Sequence, residues 1–190
     1  MRLQILEDLG MDYYNFDGLW FYDGEEIPEN FKSIVEEIII LNNITSIGDY
    51  AFCGCENLKS ITIPESVTSI GECAFDYCEN LTSITIPKSI TSIDGYAFYD
   101  CTSLTSIMIP DSVTSIGNSA FGHCENLASI TIPNSVTNIG YDVFRQCDKL
   151  TIYTNNKYVI NYCEENDISV EPLKSKNEPL KHIKLKIREF

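Results

Sequence analysis

Five phenylalanines, Phe52, Phe75, Phe98, Phe121 and Phe144, stand 23 residues apart. Cys55, Cys78, Cys101, Cys124 and Cys147 keep the same interval, as do Leu58, Leu81, Leu104, Leu127 and Leu150. Pro64, Pro87, Pro110 and Pro133 mark it again. A fixed period of this length means a stacked array, because one such unit is too small to bury its own apolar face.

Within the unit Leu81–Ser103, LTSITIPKSITSIDGYAFYDCTS, residues 83–86 alternate polar and apolar and are rich in β-branched side chains. That pattern predicts a short strand. Pro87 ends it, since proline has no N–H for an inner ladder. Ile90 and Ile93 return to the interior through a brief extended stretch. Ala97, Phe98 and Cys101 stand at offsets i, i+1 and i+4, which predicts a turn or two of helix. Identical units stack with their strands parallel. Helices are wider than the strand spacing of about 4.8 Å, so the array is expected to curve, strands concave and short helices convex.

The frame runs back through Val35, Ile38, Ile40, Ile44 and Ile47 and forward to Ile152. Strands are expected at 35–40, 58–63, 81–86, 104–109, 127–132 and about 150–153. Ile27–Ile34, IPENFKSI, echoes Ile63–Ile70, IPESVTSI, and reads as a degenerate capping repeat that the aromatic-rich residues 1–26 extend. Lys157–Ile168 reads as a longer amphipathic helix. The expected division is an N-terminal cap at 1–34, repeats at 35–153, a capping helix and strand at 154–170, and a basic tail at 171–190.

The frame L..I.IP.SVTSIG..AF..C..L, near-perfect in four copies, resembles the BspA-like class of leucine-rich repeats over roughly residues 27–153. The resemblance implies an α/β fold, a right-handed leucine-rich-repeat solenoid. The residues themselves, which form no catalytic constellation, read as a non-enzymatic module that binds a protein partner on its concave face. Members of that class look like surface or secreted adhesion and recognition proteins in some microbes and intracellular repeat proteins in others. The alternative reading is therefore a surface adhesin that binds its host, with its export leader missing from this sequence.

Charge narrows the partners. Residues 1–170 carry 25 acids against 7 bases, whereas the last twenty carry 3 against 6. An acidic body repels phosphate backbones and anionic headgroups, which argues against nucleic acid. The N-terminal residues lack the apolar core of an export signal, and no stretch approaches the 18 or so apolar residues of a spanning helix. A cytoplasmic monomer without stable membrane insertion is expected, with the cell surface as the alternative should the sequence be a piece of a longer chain. Five of the eight cysteines lie on the period and form an inward ladder, in which reduced, structural thiols are expected.

Candidate chemistry is sparse. Only two histidines occur, His123 and His182, and His123 falls where other repeats carry Tyr77 and Gln146. No phosphate loop, nucleophile elbow or HExxH motif is present, so no catalytic residue and no cofactor is expected. Cys53, Cys55, Cys73 and Cys78 lie in adjacent coils and could approach one another as zinc requires. Cys53 aligns with Asp76, however, and Cys73 with Tyr50 and Tyr96, both outward-tending positions, so no metal is expected. Outward strand positions form two rows of mostly hydroxyl side chains. These are either soluble fillers of a repeated template or a shallow recognition surface for a polypeptide or glycan. The partner-binding candidates are Glu37, Ile39, Thr62, Thr85, Met108, Thr131 and Tyr153. In the tail, Ile183, Leu185 and Ile187 alternate with Lys184, Lys186 and Arg188, a strand pattern with one apolar and one basic side. Such a tail either folds back on the acidic body or serves as an arm for a partner.

Overall fold

Each 23-residue unit makes one coil, and successive coils are joined by three rows of backbone hydrogen bonds. The computed structural model describes residues 19–22, 27 and 29–173. Most of the expected N-terminal cap and residues 174–190 of the basic tail lie outside the described residues.

The front row contains β1 (Leu19–Tyr22), β2 (Glu37–Ile40), β4 (Ser60–Thr62), β7 (Ser106–Met108), β9 (Ser129–Thr131), β11 (Thr151–Tyr153) and β12 (Ser169–Glu171). All pairings are parallel; β2 with β4 and β7 with β9 shift by one period, so Ile38 lies opposite Ile61, and Ile107 opposite Ile130, whereas β9 with β11 shifts by 22 residues and the terminal pairs β1–β2 and β11–β12 by 18. Parallel strands of an array inherit their register from the repeat, because a slip by one residue would turn every isoleucine outward. A second row, β3 (Ser46–Ile47), β5 (Ser69–Ile70), β6 (Ser92–Ile93), β8 (Ser115–Ile116) and β10 (Asn138–Ile139), is the brief extended stretch expected from the sequence.

The front row is interrupted once. Residues 83–85 make no ladder bridge, so the front strands divide into β1-β2-β4 and β7-β9-β11-β12. Side-chain alternation persists there: Ile84 and Ile86 are buried, and Ser83 and Thr85 exposed. The backbones are parted at this point. Thr105 N–H reaches the Thr82 carbonyl at 3.5 Å, whereas Ala128 N–H reaches the Thr105 carbonyl at 2.9 Å one coil later.

The convex side departs from the expected short helices. In residues 73–78 every second N–H leaves its own coil: Cys73 donates to the Gly95 carbonyl at 3.0 Å, Phe75 to Ala97 at 2.8 Å and Tyr77 to Tyr99 at 3.0 Å. The intervening amides close turns onto the residue three before, as Asp76 does onto Cys73. Two positions per coil consequently take left-handed backbone, Cys73 and Tyr77 here with φ of 54° and 57°. Six residues are too few to overcome helix nucleation, whereas pairing with the next coil satisfies the same donors. Because this third row is also hydrogen bonded coil to coil, the wedge that wide helices would have driven into the back is removed, and with it the argument for strong curvature.

Buried side chains fill the space between the rows. Phe52, Phe75, Phe98, Phe121 and Phe144 form a continuous stack with centroids 5.2, 5.2, 5.4 and 5.8 Å apart. The cysteines beside them are structural. Cys78, Cys101, Cys124 and Cys147 each donate Sγ–H to a phenylalanine carbonyl 26 residues earlier, at 3.1–3.3 Å. All eight cysteines are thiols. Cys73, expected to face outward, is buried instead, its thiol hydrogen bonded to the Tyr50 side chain of the neighbouring coil. Gly117 shows how tightly the coils approach: a Cβ there would meet the Gly95 amide nitrogen at 2.5 Å.

At the C-terminal end a real helix, α2 (Lys157–Glu165), replaces the back turn. Its Tyr162 packs edge-on against Phe144 and ends the ring stack. Tyr158 Oη accepts the N–H of Ile139, on the strand that ends the second row. At the other end, α1 (Glu29–Lys32) precedes β2.

Two substitutions test this packing by urea denaturation. Phe98→Ala should cost about 3–5 kcal/mol through the cavity it leaves, and Tyr99→Ala, on a half-buried ring, clearly less; the reverse order would contradict the inward stack. Gln146 has φ of 59°. Gln146→Gly should therefore stabilise by about 0.5–1 kcal/mol, whereas in a helix the same change would cost about 1 kcal/mol.

Candidate functional site

Strand pleating sorts the front side chains into two outward rows. Glu37 lies opposite Ser60, and Ser106, Ser129, Thr151 and Ser169 continue the first row. The second contains Ile39 opposite Thr62, then Met108, Thr131, Tyr153 and Glu171. By the repeat, Thr85 belongs between Thr62 and Met108. Six of the seven candidates thus fall in one row, and Glu37 in its neighbour. Glu37, Thr62, Thr85 and Met108 are exposed, and Ile39, Thr131 and Tyr153 half-buried.

The structure brings three of them together. Thr85, Met108 and Thr131 line a pocket of about 610 Å³ beside the interruption of the front ladder. Its floor and walls are apolar: Ile84, Ile86, Ile109, Pro110 and Pro133. Lys88 and Asp111 add charged side chains to its lining, and Leu173 lines it from the C-terminal side. Met108 is 71% exposed, an apolar side chain left in solvent among hydroxyls. Glu37, Ile39, Thr62 and Tyr153 lie outside this pocket.

Several of these residues were not among the candidates. An Ile-Pro-x-Ser segment recurs at 63–66, 86–89, 109–112 and 132–135, and the last three of these copies contribute residues to the pocket. The period marks that segment, but only as a strand terminator. Leu173 lies beyond the last repeat, so nothing periodic points to it.

A second assembly of polar groups lies on the back. His123 Nδ1 is 3.8 Å from Asp100 Oδ1, and its ring lies 4.9 Å from that of Tyr99. Asp76 Oδ1 is buried without a hydrogen-bond partner. Burial, and then the charge of Asp100, push the Asp76 carboxyl up to about 6. Asp100 is raised too, by burial first, with His123 opposing. Thiols in the core are raised by burial, Cys55 and Cys147 to about 12. A thiol so raised stays protonated and is a poor nucleophile. Among the described residues no cluster of three or more His, Cys, Asp or Glu side chains could hold a metal ion. No helix among them is long and apolar enough to cross a membrane.

Comparison with known proteins places the architecture. Residues 27–151 match the family described as BspA type leucine rich repeat region, in six copies. A leucine-rich repeat protein of T. pallidum is 34% identical with a TM-score of 0.60, over 62% of this chain and 58% of that one. A leucine-rich cell surface protein of Faecalibacterium prausnitzii is 29% identical with a TM-score of 0.53, over 74% of this chain and 43% of that one. The pneumococcal vaccine antigen PcpA shares the fold at 20% identity and a TM-score of 0.64, over 85% of this chain and 47% of that one. The chain therefore spans about half the length of these solved proteins. No curated protein matches the sequence significantly.

Asp76 yields a pH prediction. Its folded-state pKa is raised, so its favourable contribution is complete below about 4 and is lost as pH rises through about 6. Asp76→Asn should therefore stabilise the protein at pH 7.5 by about 1 kcal/mol, discounted for partial exposure. The gain should vanish near pH 4; thermal melts at both values measure it, and a pH-independent difference would refute the raised carboxyl.

Proposed function

The chain belongs to the BspA-type leucine-rich repeat family, and on that premise we propose that it is a non-enzymatic interaction module. Its partner, a protein or peptide, docks on the front strand face. The observation that carries this reading is the apolar pocket around Met108, opened on a face of mostly hydroxyl side chains. Pockets of this size, with apolar walls and a few convergent polar groups, are typical binding sites. Met108 offers a flexible, polarizable surface, and Thr85 and Thr131 offer hydroxyls beside it. Hydrogen bonds from coil to coil preorganise the face on either side of the interruption, so a partner loses little entropy in ordering it. Ile39, Thr62 and Glu37 toward one end and Tyr153 toward the other extend the proposed contact surface beyond the pocket.

A second reading is recognition at a cell surface. It draws on the F. prausnitzii protein, 29% identical and described as a cell surface protein. Labelling of intact source cells with a membrane-impermeant reagent separates the two: a labelled chain supports the surface reading, and an unlabelled one the interior.

Thr85→Arg combined with Thr131→Arg tests the site itself. Both positions face outward, so the melting temperature should stay within about 2 °C. Capture of the partner should fall at least about tenfold, since two long charged side chains would fill the pocket mouth. Undiminished capture by this double variant would remove the front face from consideration.

A further inference from the structure

The described chain stops at the pocket. Leu173, the last described residue, forms one of its walls, and Leu173 N–H donates to Asn155 Oδ1 at 3.2 Å. Residues 174–190 follow from that point and lie outside the described residues. They carry six bases against two acids, whereas residues 29–173 carry 19 acids against six bases. Opposite charge of this size concentrates the segment near the body at low ionic strength.

Length also fits. Seventeen residues reach up to about 56 Å when extended. The far wall at Ile84 is four coils from β12, about 19 Å at the strand spacing. Within the segment, Ile183, Leu185 and Ile187 share one side of an extended chain and Lys184, Lys186 and Arg188 the other. The pocket offers an apolar counterpart of matching kind, with Met108 held in solvent at its mouth.

We propose that the segment Lys174–Phe190 occupies the front pocket of its own chain, with Ile183, Leu185 and Ile187 against Met108 and the Ile84–Ile86 wall. A partner for the front face must then displace it, and raised ionic strength, which screens the attraction, eases that displacement. The displacement rests on the functional reading given above; the occupancy does not.

Hydrogen exchange followed by mass spectrometry tests the occupancy on the full chain. Thr85 and Ile86 lie in the stretch without ladder bridges, so their amides report directly on anything covering them. In a full-length variant carrying Ile183→Asp, Leu185→Asp and Ile187→Asp, exchange over 84–88 and 108–112 should quicken about tenfold. Exchange in the phenylalanine stack should be unchanged. The wild-type segments should also exchange faster in 0.5 M salt than in 0.05 M. Superimposable exchange in wild type and variant would overturn the proposal. Protection that grows with protein concentration would overturn it too, since the segment would then sit on another copy. No partner enters this measurement, so its failure leaves the front-face reading standing, and failure of the arginine variant leaves the occupancy standing.

Discussion

Backbone pairing between one coil and the next is the interaction on which everything else rests. A single coil cannot satisfy all of its own amides: its strands are two to four residues long, and in its back turns every second N–H leaves the coil. Amides left unpaired in the interior would each cost about 1–3 kcal/mol. Three rows of bonds to the neighbouring coil remove that cost and set a common rise of about 4.8 Å. The rise in turn dictates the interior. Flat rings can stack at that spacing, so phenylalanine fills the same place in five coils. A glycine stands where a Cβ would strike the preceding coil, and a thiol stands where a carbonyl of that coil needs a second donor.

The period, the inward ladders and the parallel register could all be read from residues, because stacking demands that the same atoms recur at the same interval. The back of the coil could not. Ala97, Phe98 and Cys101 point inward in a helical turn and equally in two linked turns, so apolar spacing does not separate the two. The left-handed positions would have done so only if glycine occupied them. Gly54 does, but Tyr77, Asp100, His123 and Gln146 stand at the same place in the other coils and hide the signal.

The outward rows were legible from strand alternation, which is why six of the seven candidates align. Their grouping was not. It depends on a local parting of the ladder beside residues 83–85, where the sequence is a faithful copy of its neighbours, and on Leu173, which belongs to no repeat. The proposed site therefore draws on departures from the template: Met108 among hydroxyls, a missing ladder, and a side chain arriving from outside the period. The back cluster of Asp76, Asp100 and His123 is a departure of another kind, in which burial raises both carboxyls.

Native-state alkylation, read by mass spectrometry before and after unfolding without reductant, tests the stacked interior most directly. Cys53 is half-exposed, and the other seven cysteines are buried. The account predicts modification of Cys53 in the folded protein and of all eight once it is unfolded. Rapid native labelling of Cys78, Cys101 or Cys124, or sulfurs that remain unmodified after unfolding, would contradict it.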